Sequence, residues 1–407
     1  MTQTGRIRIW SFGTDSHPLA FALVLVFAFA MATTTLAQGQ TFTVLHNFTG
    51  GADGWAPTAG LTPGGAGTFY GTSSEGGAYG YGNVFKLVHH SGGWSLLPIY
   101  SFKNDYDGAN PLSPVTIGPD GSLYGTTIGY YDGQGTLYKL QPSPTPPPSP
   151  LTPWQFTLLQ TFSGLNGDQP LYGPLIFDQA GNLYGTTQFG GGDWGTVWEA
   201  SPSGSGWTET VLAALILPSN GPYSNVAFDT AGNLYGTTGT GTYIFQLSPN
   251  GSGWTTTILH TFDGRDGSLA YGGLVRDQAG NFYGATSDGG PGSSGVTYEL
   301  SPSGEGWTFQ VINYFDSPGQ GVFGELTLDA AGNLYGVRIS GGAHDEGELF
   351  KLTPSNGSWT LTDLHDFTVA DGYFAYGSVV LDADGNIFGT SQDGGAYGKG
   401  TVWEYTP

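Results

Sequence analysis

The sequence has no cysteine and very little positive charge. Without cysteine it can form no disulfide, no thiolate zinc site and no lipid-modified cysteine anchor. Only 10 Lys and Arg stand against 32 Asp and Glu, which gives a formal net charge of −22. A field of that sign opposes phosphate backbones and anionic lipid headgroups. We therefore expect no nucleic-acid binding, whereas cations, basic proteins and neutral glycans remain candidate partners.

Long apolar runs are also scarce, and the single one lies near the N-terminus. Arg6 and Arg8 precede an uncharged apolar stretch from Leu19 to Ala32, and Thr35-Leu36-Ala37 has the small-x-small pattern of a cleavage site. The stretch is shorter than the ~20 residues of a spanning helix. We expect residues 1–37 to be a signal peptide, with an uncleaved anchor as the alternative. The mature chain is then a secreted or periplasmic monomer that is not inserted in a membrane.

Glycine and aromatic residues are abundant. The chain contains 71 Gly and 25 Pro, 14% of its residues are aromatic, and only 10% are charged. Because apolar residues recur at fixed offsets between the glycines, the glycines mark turns between strands rather than a disordered, low-complexity chain. This composition predicts an all-β protein.

A segment close to Leu-Tyr-Gly-Thr-Thr recurs seven times. The copies centre on Tyr70, Tyr124, Tyr184, Tyr235, Tyr283, Tyr335 and Phe388, at spacings of 54, 60, 51, 48, 52 and 53 residues. Periods of this size are typical of repeat arrays. The protein is therefore one small structural unit in seven copies.

The fifth copy shows what this unit is. Four runs rich in β-branched and aromatic residues, at 271–277, 281–286, 295–300 and 307–315, are separated by turn sequences such as Asp277-Gln-Ala-Gly280. A meander of four antiparallel strands over about fifty residues is the size of a propeller blade.

The two ends of the mature chain complement each other. The last copy supplies three strands, and the missing fourth resembles residues 42–48, which align with 254–262 and 359–367. A ring closed by strands from both termini explains this permutation, and an open β-solenoid does not. We predict a seven-bladed β-propeller that forms a single domain over residues 41–407. The Pro-rich segment 141–153 is then a loop inserted between the third and fourth strands of the second blade.

The repeated unit also resembles that of a known family, as its third copy shows. Asp178-Gln-Ala-Gly-Asn-Leu-Tyr-Gly-Thr-Thr187, followed by Gly190-Gly191 and Gly195-Thr-Val-Trp198, resembles the GloVer tandem repeat of exported bacterial proteins, the "choice-of-anchor" group. The resemblance covers all seven copies and implies an exported or cell-surface repeat protein. It supplies no catalytic residues.

Functional side chains are sought where the copies differ. Residues shared by the copies, such as the strand-two Tyr, the Trp that opens each fourth strand, and His46, His260 and His365, are expected to pack between blades. The variable loops join strand two to strand three, and strand four to the next blade, so they share one face of a propeller. The candidate ligand-binding residues on these loops are Tyr130, Tyr131, Trp194, Arg338, His344, Asp345 and Glu346. For Arg338 and the charged residues of the loop that follows it, the alternative is a solvated surface ion pair that includes Arg338.

No catalytic residue and no metal ligand is assigned. Asp105-Tyr-Asp107-Gly108 fits part of a calcium-loop pattern, but Lys103 precedes it and no Glu closes it, so an Asp-Gly turn is the simpler interpretation. Two functions remain open. One is a non-catalytic scaffold that binds a glycan or a surface protein. The alternative is a carbohydrate-active or lactone-hydrolysing enzyme that uses carboxylates at the channel mouth as acid and base. Three or more unpaired acidic or histidine side chains converging there would support it.

Overall fold

The computed structural model describes residues 39–129, 135–143, 154–192, 194–204, 206–215, 221–239, 243–251, 253–304, 306–316 and 319–407. Within these residues the chain forms seven four-stranded antiparallel sheets and no helix. The sheets are the blades of a β-propeller, and Phe42–Thr406 form one compact unit. The predicted fold class is confirmed. The predicted leader, residues 1–37, lies outside the described part of the chain.

Blades 1 to 6 each run from an inner first strand to an outer fourth strand. Blade 1 contains β2 (Thr62–Gly65), β3 (Thr68–Ser73), β4 (Asn83–His90) and β5 (Gly93–Ser101); blade 2 contains β6 (Thr116–Ile117), β7 (Leu123–Thr127), β8 (Thr136–Gln141) and β9 (Gln155–Thr161); blade 3 contains β10 (Ile176–Phe177), β11 (Leu183–Thr187), β12 (Thr196–Ser203) and β13 (Gly206–Ala214).

The next three blades repeat this order. Blade 4 contains β14 (Ala227–Phe228), β15 (Leu234–Thr237), β16 (Tyr243–Asn250) and β17 (Gly253–Thr261); blade 5 contains β18 (Val275–Arg276), β19 (Phe282–Ala285), β20 (Val296–Ser303) and β21 (Gly306–Tyr314); blade 6 contains β22 (Thr327–Leu328), β23 (Leu334–Arg338), β24 (Glu348–Ser355) and β25 (Ser358–Asp366).

Blade 7 joins the two ends of the chain. Its inner strands are β26 (Val380–Leu381), β27 (Ile387–Ser391) and β28 (Thr401–Thr406), and its outer strand is β1 (Thr41–Asn47), in the order β1-β28-β27-β26. The ring is therefore closed as the complementary end sequences predict. The strands on either side of the Pro-rich segment, β8 and β9, pair within blade 2, and residues 144–153 of that segment lie outside the described part of the chain.

Each strand-two glycine lies directly opposite an aromatic residue of strand three. Gly236 pairs with Phe245, and a Cβ atom at Gly236 would lie 2.5 Å from the ring. The same collision, at 2.2–2.7 Å, would occur in all seven blades. The pairs are Gly71–Phe85, Gly125–Tyr138, Gly185–Trp198, Gly236–Phe245, Gly284–Tyr298, Gly336–Phe350 and Gly389–Trp403. Each blade thus buries a strand-three aromatic ring over a glycine.

The other repeated residues hold neighbouring blades together. The strand-two Tyr packs on the Trp of the next blade, as Tyr235 does on Trp307 with ring centroids 5.3 Å apart. The following Thr donates its hydroxyl to a carbonyl of the next blade, as Thr237 does to Gly272 at 2.9 Å. His260 stacks on Phe309 of the next blade at 3.6 Å. These shared residues therefore pack between blades, as the sequence predicts.

Hairpins between the first and second strands are fixed by one aspartate. In blade 3, Asp178 Oδ1 accepts hydrogen bonds from the amides of Ala180 and Asn182 at 2.9 and 2.8 Å. Gly181 has φ of 87°, which a residue with a Cβ adopts only with strain. Asp178 Oδ2 also accepts from the phenol of Tyr184 at 3.2 Å, so the turn and the strand-two tyrosine support each other.

No described helix is long and apolar enough to cross a membrane.

Gly236→Ala should destabilise the propeller by about 1–3 kcal/mol, because the new methyl group overpacks against Phe245. Gly253→Ala is the control, since a Cβ at Gly253 meets nothing within 4 Å. Chemical denaturation measures both, and the double variant with Phe245→Leu should cost less than the sum of the single changes. Strict additivity would contradict this packing account.

Candidate functional site

The predicted aromatic ligand-binding residues have different outcomes. Tyr130 and Tyr131 lie outside the described residues, so their role stays a prediction. Trp194 is half-buried and packs against an apolar cluster between blades 3 and 4 that includes Tyr184 and Phe245. Much of the Trp194 surface therefore supports the contact between blades.

Arg338 is fully buried inside blade 6. Its Nη1 donates to Glu348 Oε1 at 3.0 Å, and its guanidinium lies 4.8 Å from the ring centroid of Phe315. On the loop after Arg338, His344 and Asp345 are exposed. Glu346 on the same loop is half-buried. The interpretation of Arg338 as half of a solvated ion pair is therefore wrong, because its guanidinium is inside the blade and its acidic partner there is Glu348.

The buried ion pair replaces a pair of hydroxyl groups. Arg338 and Glu348 face each other in the register of strands two and three. The equivalent positions in blades 2 and 3 are threonine pairs whose hydroxyls lie 2.8 Å apart, namely Thr127–Thr136 and Thr187–Thr196. Blade 6 thus has two charged side chains at positions where blades 2 and 3 have hydrogen-bonded, neutral hydroxyl groups.

Two further carboxylates lie beside Glu348. Oxygen atoms of Glu348, Asp363 and Asp366 lie within 4.8 Å of one another. Burial, together with the negative charges of Asp366 and Glu348, raises the pKa of Asp363 to about 6. Carboxylate oxygens suit hard cations. Here Arg338 already pairs with Glu348, and Asp366 accepts a hydrogen bond from the amide of Ala343 at 2.7 Å. The cluster therefore consists of like charges that are only partly compensated.

The calcium-like loop of blade 2 uses its carboxylate internally. Asp107 Oδ2 accepts from the phenol of Tyr100 at 2.6 Å, and both Asp107 oxygens face the amide of Lys103 at 3.2 Å. Burial raises the pKa of Asp107. Protein donors thus face both oxygens of this carboxylate, and calcium at Asp105–Gly108 stays an untested alternative to the Asp-Gly turn.

Aromatic side chains surround the channel mouth on the predicted binding face. They lie on the strand-four-to-strand-one connections, twelve residues before the strand-two aromatic of blades 3 to 7. We call them the aromatic collar, which consists of Tyr172, Tyr223, Tyr271, Phe323 and Tyr376. Ring centroids are 4.6 Å apart for Tyr223–Tyr271, 4.7 Å for Tyr271–Phe323 and 5.3 Å for Phe323–Tyr376. Five of seven blades therefore present half-buried rings at this mouth.

One carboxylate lines the channel just below the collar. Glu325 is partly accessible in the channel and accepts a hydrogen bond from the side chain of Asn225. Burial raises the pKa of Glu325 to about 7, and the Asn225 hydrogen bond opposes that shift. Glu325 is the one acidic residue among the described residues that line this narrow part. The described residues of this narrow part therefore do not provide the three convergent acidic or histidine groups that would support the enzyme alternative.

The opposite face carries a larger cavity, of about 590 Å³, between blades 7 and 1. We call it the seam pocket. Three aromatic rings form its wall, with centroids 4.6 Å apart for Phe69–Phe388, 5.7 Å for Trp94–Phe388 and 5.8 Å for Phe69–Trp94. Polar side chains line the rest, namely His89, Asp382, Asp384, Asn386 and Glu404. A volume of this size suits a small organic ligand.

One residue of the seam pocket departs from the repeat. Phe388 replaces the strand-two tyrosine. In five other blades a Tyr phenol bonds to a hairpin Asp at 3.0–3.3 Å, in the pairs Tyr124–Asp120, Tyr184–Asp178, Tyr235–Asp229, Tyr283–Asp277 and Tyr335–Asp329. Phe388 carries no phenol hydroxyl, so this bond is absent from blade 7, and the hairpin residue Asp382 lines the seam pocket.

The charges of the seam pocket are mainly negative. Burial and the charge of Asp382 raise the pKa of Glu404, while His89 opposes that shift. The His89 ring lies 4.8 Å from the Trp94 ring. Such a pocket disfavours phosphates and acidic sugars, and offers hydrogen-bond acceptors beside an apolar wall.

A second cavity, of about 600 Å³, continues from the seam pocket toward blade 6. Both cavities are lined by Pro63, Leu381, Asp382 and Ala383. The second also reaches Tyr335. Together the two cavities form a groove across three neighbouring blades.

Sequence reasoning missed both the collar and the seam pocket. A signal for the collar is present, because the position twelve residues before the strand-two aromatic is itself aromatic in five of the seven copies. A signal for the seam pocket is Phe388, which breaks the shared Tyr pattern. The face predicted for binding contains the collar, whereas the seam pocket lies on the opposite face.

Comparison with known proteins gives a family match and a shared fold. A model of the Gloeobacter/Verrucomicrobia repeat matches residues 26–147 and 239–407. No curated protein sequence matches the chain.

Similar solved structures include a fungal alcohol oxidase of the AA5 family in complex with copper, at 15% identity and a TM-score of 0.58, with 90% of this chain and 76% of that chain covered. A predicted 6-phosphogluconolactonase of Bacteroides fragilis has 16% identity and a TM-score of 0.51, with 86% and 98% covered. A second one, of Bacteroides uniformis, has 14% identity and a TM-score of 0.51, with 76% and 84% covered. These likenesses show the fold alone.

Arg338→Thr should destabilise the protein by about 3–5 kcal/mol, because it leaves the buried Glu348 carboxylate without its cation. The double variant Arg338→Thr/Glu348→Thr recreates the threonine pair of blades 2 and 3, and should recover most of that loss. Denaturant unfolding measures both variants. A double variant as unstable as the single one would contradict this account.

Asp363→Asn should raise the melting temperature at pH 8 and leave it unchanged at pH 4. Because the folded-state pKa of Asp363 is raised to about 6, its charge destabilises the fold above that pH, and the penalty disappears as pH falls toward its unfolded value. Thermal unfolding with a chelator present tests this. An equal effect at both pH values would show that the charge of Asp363 is not responsible.

Proposed function

The chain belongs to the Gloeobacter/Verrucomicrobia repeat family, and we propose that it is an exported, non-catalytic propeller that binds a neutral oligosaccharide in the seam pocket. The observation that carries the proposal is the seam pocket itself. It combines a ligand-sized cavity of about 590 Å³ with an aromatic wall and a polar rim.

The wall suits the apolar face of a sugar ring. Trp94 is half-buried, so part of its indole is available in the pocket, with Phe69 and Phe388 behind it. Aromatic side chains supply large contact area at small cost in conformational entropy. A pyranose ring stacked on Trp94 would bury its C–H face there.

The rim suits sugar hydroxyl groups. Glu404, Asp384 and Asp382 offer carboxylate acceptors, and Asn386 and His89 add groups that can donate or accept. A ligand with many hydroxyls can satisfy several of these groups at once. The excess of carboxylates favours neutral sugars over sugar acids or sugar phosphates, and the adjoining groove favours several linked units over one.

The enzyme alternative has less support. The solved structures named as lactonases share the fold at 14–16% identity, and fold does not determine function. No paired acid and base, and no nucleophile with a base, carries that alternative among the described residues of the channel.

Trp94→Ala should weaken saccharide binding by about tenfold or more, because the ligand loses its stacking surface. The experiment is a glycan-array screen of residues 38–407, followed by calorimetry with the best neutral oligosaccharide. Trp307→Ala is the control, because Trp307 has the same inter-blade packing at another seam. Weakening by both variants to the same extent would contradict a specific role for Trp94.

A second pair of variants avoids loss of core packing. Ala383 is exposed at the rim of the pocket, so Ala383→Trp should block ligand entry, whereas Gln179→Trp at the equivalent hairpin position of blade 3 should not. Glu404→Gln should also weaken binding more than Glu299→Gln, its counterpart in blade 5. Absence of any saccharide ligand on the array, or unchanged affinity in Ala383→Trp, would overturn the proposal.

A further inference from the structure

The channel mouth on the opposite face has a different chemistry from the seam pocket. We propose that the aromatic collar and Glu325 form a second binding site, which recognises the terminal ammonium group of a primary alkylamine. Because this site shares no residue with the seam pocket, the proposal does not depend on the oligosaccharide proposal.

The collar offers the surface of aromatic rings to a cation. Tyr271 stacks on Phe323 with an interplanar angle of 30°, and Tyr376 meets Phe323 edge-on at 85°. Tyr172 faces the other tyrosines across the channel: burial, together with Tyr376, Tyr223 and Tyr271, raises its pKa to about 12. All four phenols are therefore neutral near pH 7, and their rings can interact with a positive charge.

Glu325 provides one negative charge below these rings. Its carboxylate accepts from Asn225, whose amide lies over Gly273; a Cβ at Gly273 would lie 2.0 Å from Asn225 Oδ1. The amide of Glu325 donates to Ser378 Oγ at 3.1 Å. These contacts hold Glu325 in place, and none of them supplies a positive charge. Among the described residues, Glu325 has no ion pair with Lys, Arg or His.

The space beside Glu325 is about 20 Å³, which admits one water-sized group. The backbones of neighbouring inner strands approach closely there, and a Cβ at Gly377 would lie 2.3 Å from the amide nitrogen of Gly60. An ammonium group is about as large as a water molecule, whereas a trimethylammonium group is much larger. The constriction thus favours a primary amine, whose alkyl chain would lie along the collar.

Other charges near the mouth are also negative. Burial raises the pKa of both Tyr271 and Tyr376, and the nearby charges of Asp288 and Asp393, respectively, raise it further. Lys399 lies near Asp393, but it is placed over the ring of Trp55 at 3.3 Å. With a chain charge of −22, the field attracts cations toward this mouth and repels anions.

Calorimetry of residues 38–407 with n-butylamine at pH 8.5 tests the proposal, with 1-butanol and tetramethylammonium as neutral and oversized probes. We expect saturable binding of butylammonium, and no binding of 1-butanol or tetramethylammonium. Nα-acetyl-lysine methylamide presents the same ammonium group on an amino acid side chain. If this compound binds, the site recognises the ammonium terminus of any alkyl chain. If it does not bind, the ligand is an amine that is not part of an amino acid residue. Equal binding of 1-butanol and butylammonium would overturn the proposal.

Glu325→Gln should lower the affinity for butylammonium at least tenfold at pH 8.5, and Tyr271→Leu should lower it severalfold. Glu299→Gln, which removes a carboxylate from blade 5 away from the channel, is the control. In the unsubstituted protein the affinity should fall as pH decreases from 8.5 to 5.5, because Glu325 loses its charge near pH 7 while the amine stays protonated. A pH profile that is the same in Glu325→Gln would also overturn the proposal, even with saccharide binding intact.

Discussion

The whole ring depends on a close contact inside each blade, between the glycine of strand two and the aromatic ring of strand three. A buried ring occupies the place of the missing side chain, and a Cβ would come within 2.2–2.7 Å of it. Because the outer edge of the ring lies over the glycine, strand three lies against strand two without a second side chain between them. The Tyr, Trp and Thr contacts between blades all start from strands positioned by this pair.

This constraint explains why the most repeated residues are poor candidates for function. In the repeated motif, the Leu lies in the core, the Tyr bonds to the hairpin aspartate, and the Gly lies under the strand-three ring. The first Thr bonds to the next blade, and the second Thr bonds to strand three. Each already has its partners in the scaffold. Ligand chemistry is therefore available mainly where a copy departs from the pattern, as at Glu325, Phe388 and Arg338. Of these, the departure at Arg338 is turned inward, because Glu348 balances its charge within the blade.

The sequence was sufficient for the architecture, because the architecture repeats. Spacing, hairpin chemistry and the complementary ends predict seven blades and their closure, since every copy gives the same evidence again. The sites were not predictable in the same way. The charge of Arg338 was evident, but not its burial, because its partner Glu348 lies ten residues later on another strand. The collar depends on seven inner strands meeting around one channel, and the seam pocket depends on residues 63–69 meeting residues 381–404 from the other end of the chain.

A seven-fold scaffold can give up an interaction at one seam at small cost to its stability. The phenol-to-aspartate hydrogen bond that blade 7 lacks is worth about 1 kcal/mol, and five other blades retain it. The aromatic contacts among Phe69, Trp94 and Phe388 keep blades 7 and 1 together in the absence of that bond. The stability of the ring therefore remains in the repeated contacts, while the exposed part of Trp94 is available to a ligand. The same division applies at the channel, where one blade replaces a small residue by Glu325 and the six other blades keep the inner strands close together.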